Sequence, residues 1–188
     1  MVLSNLDIYE ELSKGHLRID SYDGLVDLEK SIQPASVDLH LSRSFSILTR
    51  PKFNINGRRV PVQIFEEEET IEYATNEFTI KPNRFVLAST MERLVIPDYL
   101  VARLEGRSSI GRKGLFIHNA GFIDPGFEGE ITLELFNCTE RPVIVKSGMR
   151  ICQVVFEYLH TPTDKPYNGK YQGQYGATAS RLHLDFDR

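Results

Sequence analysis

The sequence predicts a mainly β domain, a sandwich or a barrel, with one short helix at its N-terminus. Short apolar segments with the composition of strands recur along the chain, and clusters of Gly, Pro, Asn and Asp separate them. Such spacing is typical of a sandwich or barrel. The 188 residues, 41% of them hydrophobic, match the length of one domain with a buried core, and no repeat or linker divides them. We therefore expect a single domain over residues 1–188.

The N-terminal helix is predicted by its ends. Ser4 is a typical N-cap residue and Gly15 a typical terminator, so the helix should extend through about Ser13. The apolar residues expected to face inward are Leu6, Tyr9 and either Leu12 or Leu3.

The strands are predicted by period-two alternation. After Pro34, apolar residues alternate with Asp38 and His40, which predicts one apolar and one polar face. Further short strands are expected at Phe78 and Ile80, Phe85 to Ala88, Leu94 to Ile96, Val101 to Leu104, Ile144 to Lys146 and Ile151 to Phe156.

Composition excludes several classes of function. A net charge of −4 gives no electrostatic reason to expect a nucleic-acid partner. Neither a signal-peptide core nor a transmembrane run is present, so no membrane association is expected. Cys138 and Cys152 lie in strand-like apolar segments, which favours reduced core residues and a cytoplasmic location.

A basic turn, Gly106 to Arg112, is the first candidate binding element. It combines two glycines, two serines and two arginines, and Lys113 follows at once. Ser108 or Ser109 could cap a short helix whose N–H groups point at a phosphate. The glycine spacing matches a P-loop, but Arg and Lys stand where Lys and Ser/Thr are required, which excludes an ordinary NTPase. A solvated basic turn and a polyphosphate site both remain open.

A candidate acid/base follows on a predicted strand. The Asp124-Pro125-Gly126 segment predicts a reverse turn, and Glu130 to Asn137 then alternates with period two. Glu134 lies in the middle of the strand, where it is either a solvent-facing residue or a general acid/base in a cleft. Ile131, Leu133 and Leu135 should share one face, and Glu130, Thr132, Glu134 and Phe136 the other.

Zinc-dependent deamination is excluded by the missing ligands. Zinc deaminases need an H-x-E and a P-C-x-x-C motif to hold the ion. None of the five histidines is followed two residues later by glutamate, and the two cysteines are 14 positions apart. Any deamination by this chain must therefore proceed without zinc.

The tail, residues Pro162 to Arg188, is rich in Gly, Tyr and Gln. Composition alone favours a disordered terminus. Its glycine-hinged aromatic and polar side chains could instead close over a ligand as a lid. These side chains are Tyr167, Lys170, Tyr171, Gln174 and Tyr175.

The runs GRSSIGRKGL, AGFIDPGF, ITLE and KYQGQYG, in this order, resemble the dCTP deaminase family of the trimeric dUTPase superfamily. The resemblance extends from LSNLDIYEEL and QPASVDLHL to Arg181. It implies a dUTPase-like, distorted β-barrel of jelly-roll type, a tail over 162–188 that acts as a lid, and a homotrimer whose active sites are built from neighbouring subunits.

The resemblance also implies residue roles. Glu134 would move the proton while water attacks C4 of dCTP, with Ser108 and Arg112 also near the attacked position. Asp124 would receive the 3′-hydroxyl, although it could simply cap its turn. Mg²⁺ would bind through the triphosphate, with no protein side chain as ligand and no zinc. The implied nucleotide contacts are Arg107, Ser108, Ser109, Ile110, Gly111, Arg112, Asp124, Thr132, Leu133, Glu134, Gln153, Tyr167, Lys170 and Gln174.

The Ala120-Gly121 pair resembles bifunctional members, which deaminate dCTP and hydrolyse the product to dUMP and pyrophosphate for dTMP synthesis. Members that only deaminate carry histidine after the alanine. The loop from His118 to Gly121 is one residue shorter than in most members, and it affects the response to dTTP as a feedback inhibitor. A deaminase that releases dUTP, a dUTPase and a non-catalytic nucleotide-binding regulator remain alternatives.

Overall fold

The computed structural model describes residues 1–21, 24, 26–48, 56–58, 60, 69–118 and 121–186. The mainly β class is confirmed, with one helix of three turns near the N-terminus. In chain order the elements are α1 (Asn5–Lys14), β1 (Arg18–Ser21), α2 (Leu28–Ser31), β2 (Ile32–Gln33), β3 (Ser36–Leu48), β4 (Thr70–Ala74), β5 (Glu77–Ile80), β6 (Arg84–Val95), β7 (Leu100–Gly106), α3 (Ser108–Gly111), β8 (Leu115–His118), β9 (Phe122–Ile123), β10 (Glu128–Asn137), β11 (Val143–Lys146), β12 (Arg150–Tyr158) and a 3₁₀ helix (Leu182–Asp185).

The large sheet is antiparallel and curls into a half-barrel, which confirms the distorted-barrel expectation. Its central order is β8-β10-β6-β3-β12-β7-β9, with β1 on β6 and both β2 and β4 on β3. A smaller sheet pairs β11 with β5. Strand β3 belongs to both halves: its first part pairs with β12, and after a register shift between Leu41 and Phe45 it pairs with β6 and β4. Strands that bend between two sheets in this way form the corners of such folds.

The core confirms the predicted alternation on β10 and corrects it on β3. Leu133 and Leu135 are fully buried, as expected for the apolar face of β10. On β3, however, Asp38 is only 2% exposed, although it lies on the face that the pattern makes polar. The carboxylate is buried because Arg107 and Arg150 pair with it, at 3.1 and 3.4 Å.

Helix α1 has the predicted ends. Ser4 forms a capping box with Asp7, and Gly15 adopts the left-handed conformation that ends the helix. The predicted inward face is wrong at Leu6 and Tyr9, which are 72% and 41% exposed, whereas Leu3 is fully buried and Leu12 packs against the core, as expected. Ile8 and Glu11 are the buried residues of α1 instead.

The reason for that orientation is a hydrogen-bond network around the Glu11 carboxylate. The hydroxyls of Tyr99 and Tyr158 donate to it at 2.5 and 2.9 Å, and Lys14 donates at 3.0 Å. Burial acts to raise the pKa of Glu11, but these hydrogen bonds outweigh it, so the pKa lies below its ordinary value. The network holds this face of α1 against the end of β12.

The two cysteines are both free thiols, and one of them departs from expectation. Cys152 lies in the core on β12, where burial raises the pKa of its thiol well above the ordinary value. Cys138 is exposed, because β10 ends at Asn137 and the following residues form a turn. Among the described residues, no helix is long and apolar enough to cross a membrane.

Candidate active site

A cleft of about 480 Å³ opens beside β10. Its wall is partly aromatic, with Phe85, Phe122 and Phe127 among the lining residues, and it carries the carboxylates of Asp124 and Glu134. Small-molecule sites typically have volumes of about 300–1,000 Å³ and combine apolar walls with a few polar groups. The cleft therefore suits a ring-containing ligand that is held by a small number of hydrogen bonds.

Glu134 lies at the centre of one wall. Sheet pairing fixes its register, because its backbone is opposite Leu87 of β6 and His118 of β8. The side chain is half-buried and lines the cleft together with Thr132, two residues earlier on the same face. Of the alternatives open from the pattern, the cleft position is therefore the observed one.

Asp124 reaches the cleft through the predicted reverse turn. The Phe127 N–H donates to the Asp124 carbonyl at 3.1 Å, and Gly126 has φ +85°, as expected for the third residue of a type II turn. A Cβ at Gly126 would lie 2.5 Å from Cβ of Pro166. This glycine is therefore required both by the turn and by the close approach of the tail.

The described part of the tail packs against the sheet, which contradicts a disordered terminus. The Tyr167 N–H donates to the Pro125 carbonyl at 2.7 Å, and the Gln174 side-chain amide donates to the Glu130 carbonyl at 2.7 Å. Tyr167 and Gln174 line the cleft, as does Tyr171.

The other tail residues named from the sequence lie outside the cleft lining. Lys170 forms an ion pair with Asp185 at 2.5 Å and lies 5.8 Å from the centre of the Tyr171 ring. Tyr175 is 73% exposed and borders a second, smaller cavity next to Glu130.

The basic turn forms a short helix, as expected, but its cap differs. Helix α3 begins at Ser108, and Arg107 holds the N-cap position without a side-chain hydrogen bond, so neither Ser108 nor Ser109 caps it. Ser108, Ser109 and Arg112 are exposed, while Ile110 and Gly111 are half-buried.

Arg107 pairs with the buried Asp38 and is not part of the cleft lining. Its Nε lies 3.1 Å from the buried Asp38 carboxylate, and it donates to the Arg150 carbonyl at 3.1 Å. Arg150, which the sequence left without a role, completes this cluster through its own ion pair with Asp38.

The candidate residues therefore fall into two groups within one subunit. Gly121, Asp124, Thr132, Glu134, Tyr167 and Gln174 line the cleft, whereas Arg107 to Arg112 do not. Gln153 of β12 lies opposite Asp38 of β3 and Glu105 of β7. Strand β7 leads directly into the basic turn. The Leu133 side chain is buried in the core, so only its backbone is available to a ligand. Ala120 lies outside the described residues.

The cleft has no cationic lining. Among the residues that the structure describes, neither lysine nor arginine belongs to its wall. A triphosphate normally requires cationic or N–H donors. Within the single chain, the described cleft lining and the basic turn are therefore separate.

Sequence reasoning missed the aromatic wall and the role of Glu130. Phe85 and Phe122 were available as aromatic residues at outward strand positions, and both are more than one-third exposed. Glu130 looked like a solvent-facing residue, yet it is 4% exposed. A β-bulge between Glu130 and Thr132 turns it inward, and alternation alone does not reveal a bulge.

The described residues contain no cluster of three or more His, Cys, Asp or Glu side chains able to hold a metal ion. Asp124 and Glu134 are the carboxylates of the cleft lining.

Comparison with known proteins identifies the family of the chain. Residues 2–159 match the family model described as dCTP deaminase-like. A protein of Sulfurihydrogenibium sp. named "dCTP deaminase, dUMP-forming" is 48% identical over 188 residues, covering 100% of both chains.

Solved structures share the fold at low identity. The 2′-deoxycytidine 5′-triphosphate deaminase from Agrobacterium tumefaciens has a TM-score of 0.61 at 21% identity, over 85% of this chain and 48% of that longer one. A Staphylococcus bacteriophage 80alpha dUTPase mutant with dUpNHpp has a TM-score of 0.52 at 14% identity, over 85% and 95%. With the family model and the full-length relative together, the chain belongs to the dCTP deaminase family.

Proposed function

We propose that this protein deaminates dCTP hydrolytically without zinc and converts the product to dUMP and pyrophosphate. The observation that carries the proposal is the position of Glu134, which lines an aromatic cleft together with Asp124 and Thr132. The naming of the 48% identical relative as dUMP-forming supports the second step. Formation of dUMP supplies the substrate class needed for dTMP synthesis.

The chemistry of the first step follows from this arrangement. The oxygen of a water molecule adds to C4 of the cytosine ring while the Glu134 carboxylate accepts its proton. Addition opens the C4=N3 double bond, and Glu134 passes the proton to N3. Glu134 then carries the remaining hydroxyl proton to the exocyclic amine, the bond from C4 to that nitrogen breaks as C4=O forms, and ammonia leaves. A carboxylate that shuttles a proton in this way typically contributes about 10²–10⁴-fold. The cleft wall contributes by excluding bulk water from the reacting carbon.

The other cleft residues hold the nucleoside. Asp124 accepts a hydrogen bond from the 3′-hydroxyl, and Thr132 contacts the base beside Glu134. Tyr167 and Gln174 close the cleft from the tail, which acts as a lid over residues 162–188.

The phosphate group binds to the basic turn of a neighbouring subunit in a homotrimer. The exposed Ser108, Ser109 and Arg112 lie outside the cleft of their own chain, and the cleft lining that the structure describes has no cation. A subunit arrangement that brings the turn of one chain to the cleft of the next supplies what each lacks. Ser108 and Arg112 then approach the attacked ring position, and Arg107, Gln153 and Lys170 support the phosphates.

Magnesium would bind to the triphosphate and neutralise its charge, which favours both orientation and departure of pyrophosphate. In the second step a water oxygen bonds to the α-phosphorus, the bond from that phosphorus to the bridging oxygen breaks, and pyrophosphate leaves. The Ala120-Gly121 pair, in which Ala120 lies outside the described residues, matches the bifunctional members that the sequence resembles and supports this second step. dTTP, which resembles the product nucleotide, would compete for the same site in the cytoplasm.

Ammonia release tests the proposal. With dCTP and Mg²⁺ the protein should release ammonia, whereas dUTP should yield pyrophosphate without ammonia. Pyrophosphate from dUTP and no ammonia from dCTP would identify a dUTPase instead. Binding of both nucleotides without turnover would identify a regulator.

A further inference from the structure

Glu130 is one of three β10 residues that hydrogen-bond to the tail, with Glu128 and Thr132. The Glu130 N–H donates to the Gln174 carbonyl at 3.0 Å, and the Glu130 carbonyl accepts from the Gln174 side-chain amide at 2.7 Å. The Glu130 carboxylate also accepts from the Gly176 N–H, at 2.8 Å. Glu130 thus forms hydrogen bonds to the same tail segment through its backbone N–H, its backbone carbonyl and its carboxylate.

The carboxylate is held deep in the sheet. It is 4% exposed, and it accepts from the Ser89 hydroxyl at 3.1 Å, which in turn lies 2.7 Å from the Ser42 hydroxyl. Burial raises the pKa of Glu130, and the nearby Glu92 raises it further, while the hydrogen bonds from Gly176 and Ser89 act to lower it. Because a buried carboxylate is costly without hydrogen-bond donors, the tail N–H contributes directly to keeping it in place.

The tail is shaped to meet this carboxylate. Gly176 has φ +67°, and a Cβ there would lie 2.9 Å from Oγ of Ser44, so another residue would be strained. The Ala177 N–H donates to the same Oγ at 2.9 Å, and the Thr178 N–H donates to the Thr132 hydroxyl at 3.3 Å. The tail therefore runs beside β10 from Glu130 to Thr132, two residues before Glu134.

We propose that Glu130 is a positioning residue whose carboxylate anchors the tail at Gly176, and so holds Gln174 against the cleft wall that carries Glu134. The anchoring role is inferred from the hydrogen bonds of Glu130 and does not depend on the proposed function. Its effect on catalysis rests on the proposed function, because it requires the cleft to bind dCTP.

The anchor predicts a specific kinetic signature. When a binding-competent state is only partly populated, the apparent affinity falls by the populated fraction. Loss of the anchor should therefore raise KM for dCTP, while saturating nucleotide restores the closed tail and keeps kcat within about threefold. A residue that only supports folding would instead lower the amount of active enzyme, which reduces apparent kcat and leaves KM unchanged.

The test compares Glu130→Ala with Glu130→Gln and with Glu128→Ala as the matched control. Glu128 lies on the same strand, but its side chain pairs with Arg93 and only its backbone contacts the tail. The Gly176 N–H and the Ser89 hydroxyl both donate to Oε2 of Glu130, so a glutamine whose amide oxygen takes that position keeps both hydrogen bonds.

Chymotrypsin cleavage at tail tyrosines should be about tenfold faster in Glu130→Ala, because a buried acceptor is lost. KM for dCTP should rise by a similar factor. Glu130→Gln and Glu128→Ala should remain within about twofold of the unaltered protein in both measurements. Equal tail cleavage in Glu130→Ala and Glu128→Ala would overturn the proposal, as would a fall in kcat at constant KM.

A second variant guards against misfolding of Glu130→Ala. Gly176→Ala breaks the same contact from the tail side, outside the sheet, and should reproduce the faster cleavage and the higher KM. Normal cleavage in this variant would contradict the anchor. If the unaltered protein released no ammonia from dCTP, the proposed function would fail, yet the cleavage rates would still decide whether Glu130 anchors the tail.

Discussion

Two inactive variants should restore activity to each other when their subunits are mixed. Glu134→Gln damages the cleft, and Arg112→Ala damages the exposed turn that lies outside that cleft. If each site takes its cleft from one subunit and its turn from the neighbour, a site is intact when neither contribution is altered. In a random 1:1 mixture, half of the subunits have an intact cleft and the other half have an intact turn. An intact cleft therefore meets an intact turn in about one-quarter of the sites, which should be active.

The assay is ammonia release from dCTP after the two proteins are unfolded together and refolded, with each parent refolded alone as reference. A matched control mixes Glu134→Gln with Asp124→Ala. Both of these residues line the same cleft, so every subunit in that mixture carries a damaged cleft and no recovery is expected. Activity no greater than the sum of the parents in the first mixture would refute the shared site. Recovery in the control mixture would show that Asp124 and Glu134 act in different subunits.

Three further predictions concern the base, the metal and the tail. Glu134→Gln should lower kcat for deamination by about 10²-fold or more while calorimetry still detects dCTP binding, and substantial residual ammonia production would remove Glu134 from its role. Elemental analysis should find no stoichiometric zinc, and a zinc-selective chelator should leave activity unchanged when Mg²⁺ is supplied; one tightly bound zinc per chain would overturn the mechanism. Truncation before Pro166 should leave a folded oligomer by size-exclusion chromatography with almost no turnover, and normal turnover would exclude a lid.

Local patterns predicted those parts of the fold that local chemistry determines. The capping box at Ser4 and the terminating Gly15 fix the ends of α1, and both act through bonds within one helical turn. The Asp124-Pro125-Gly126 turn and the buried apolar face of β10 were predictable for the same reason. Each depends on neighbours close in sequence.

The wrong predictions concern residues whose burial depends on contacts with residues far away in the sequence. Leu6 is exposed because Tyr99 and Tyr158, which lie outside α1, donate hydrogen bonds to Glu11 and so orient the Glu11 face of the helix inward. Asp38 and Glu130 are buried because of arginines and a tail segment that lie far away along the chain. Period-two alternation gives the face of a residue in a regular strand, but it contains no information on bulges or on partners for a buried charge.

The predictions for the site show the same contrast between features set by local sequence and features set by distant contacts. Motifs identified Asp124, Thr132 and Glu134, and the structure brings them into one cleft. The placement of the Ser108 turn outside that cleft could not be predicted from spacing, because it depends on the path of β7 and on the ion pair between Arg107 and Asp38. The aromatic wall at Phe122 likewise becomes visible only when the strands are assembled.

The proposed activity of this enzyme is the conversion of dCTP to dUMP by a single protein. The most direct measurement is the quantity of ammonia, pyrophosphate, dUMP and dUTP formed from dCTP and Mg²⁺ in the same reaction over time. We expect ammonia, pyrophosphate and dUMP in equal amounts, with little free dUTP at any time. Accumulation of dUTP with no pyrophosphate would contradict this expectation and leave a deaminase alone, and the absence of ammonia would contradict deamination altogether.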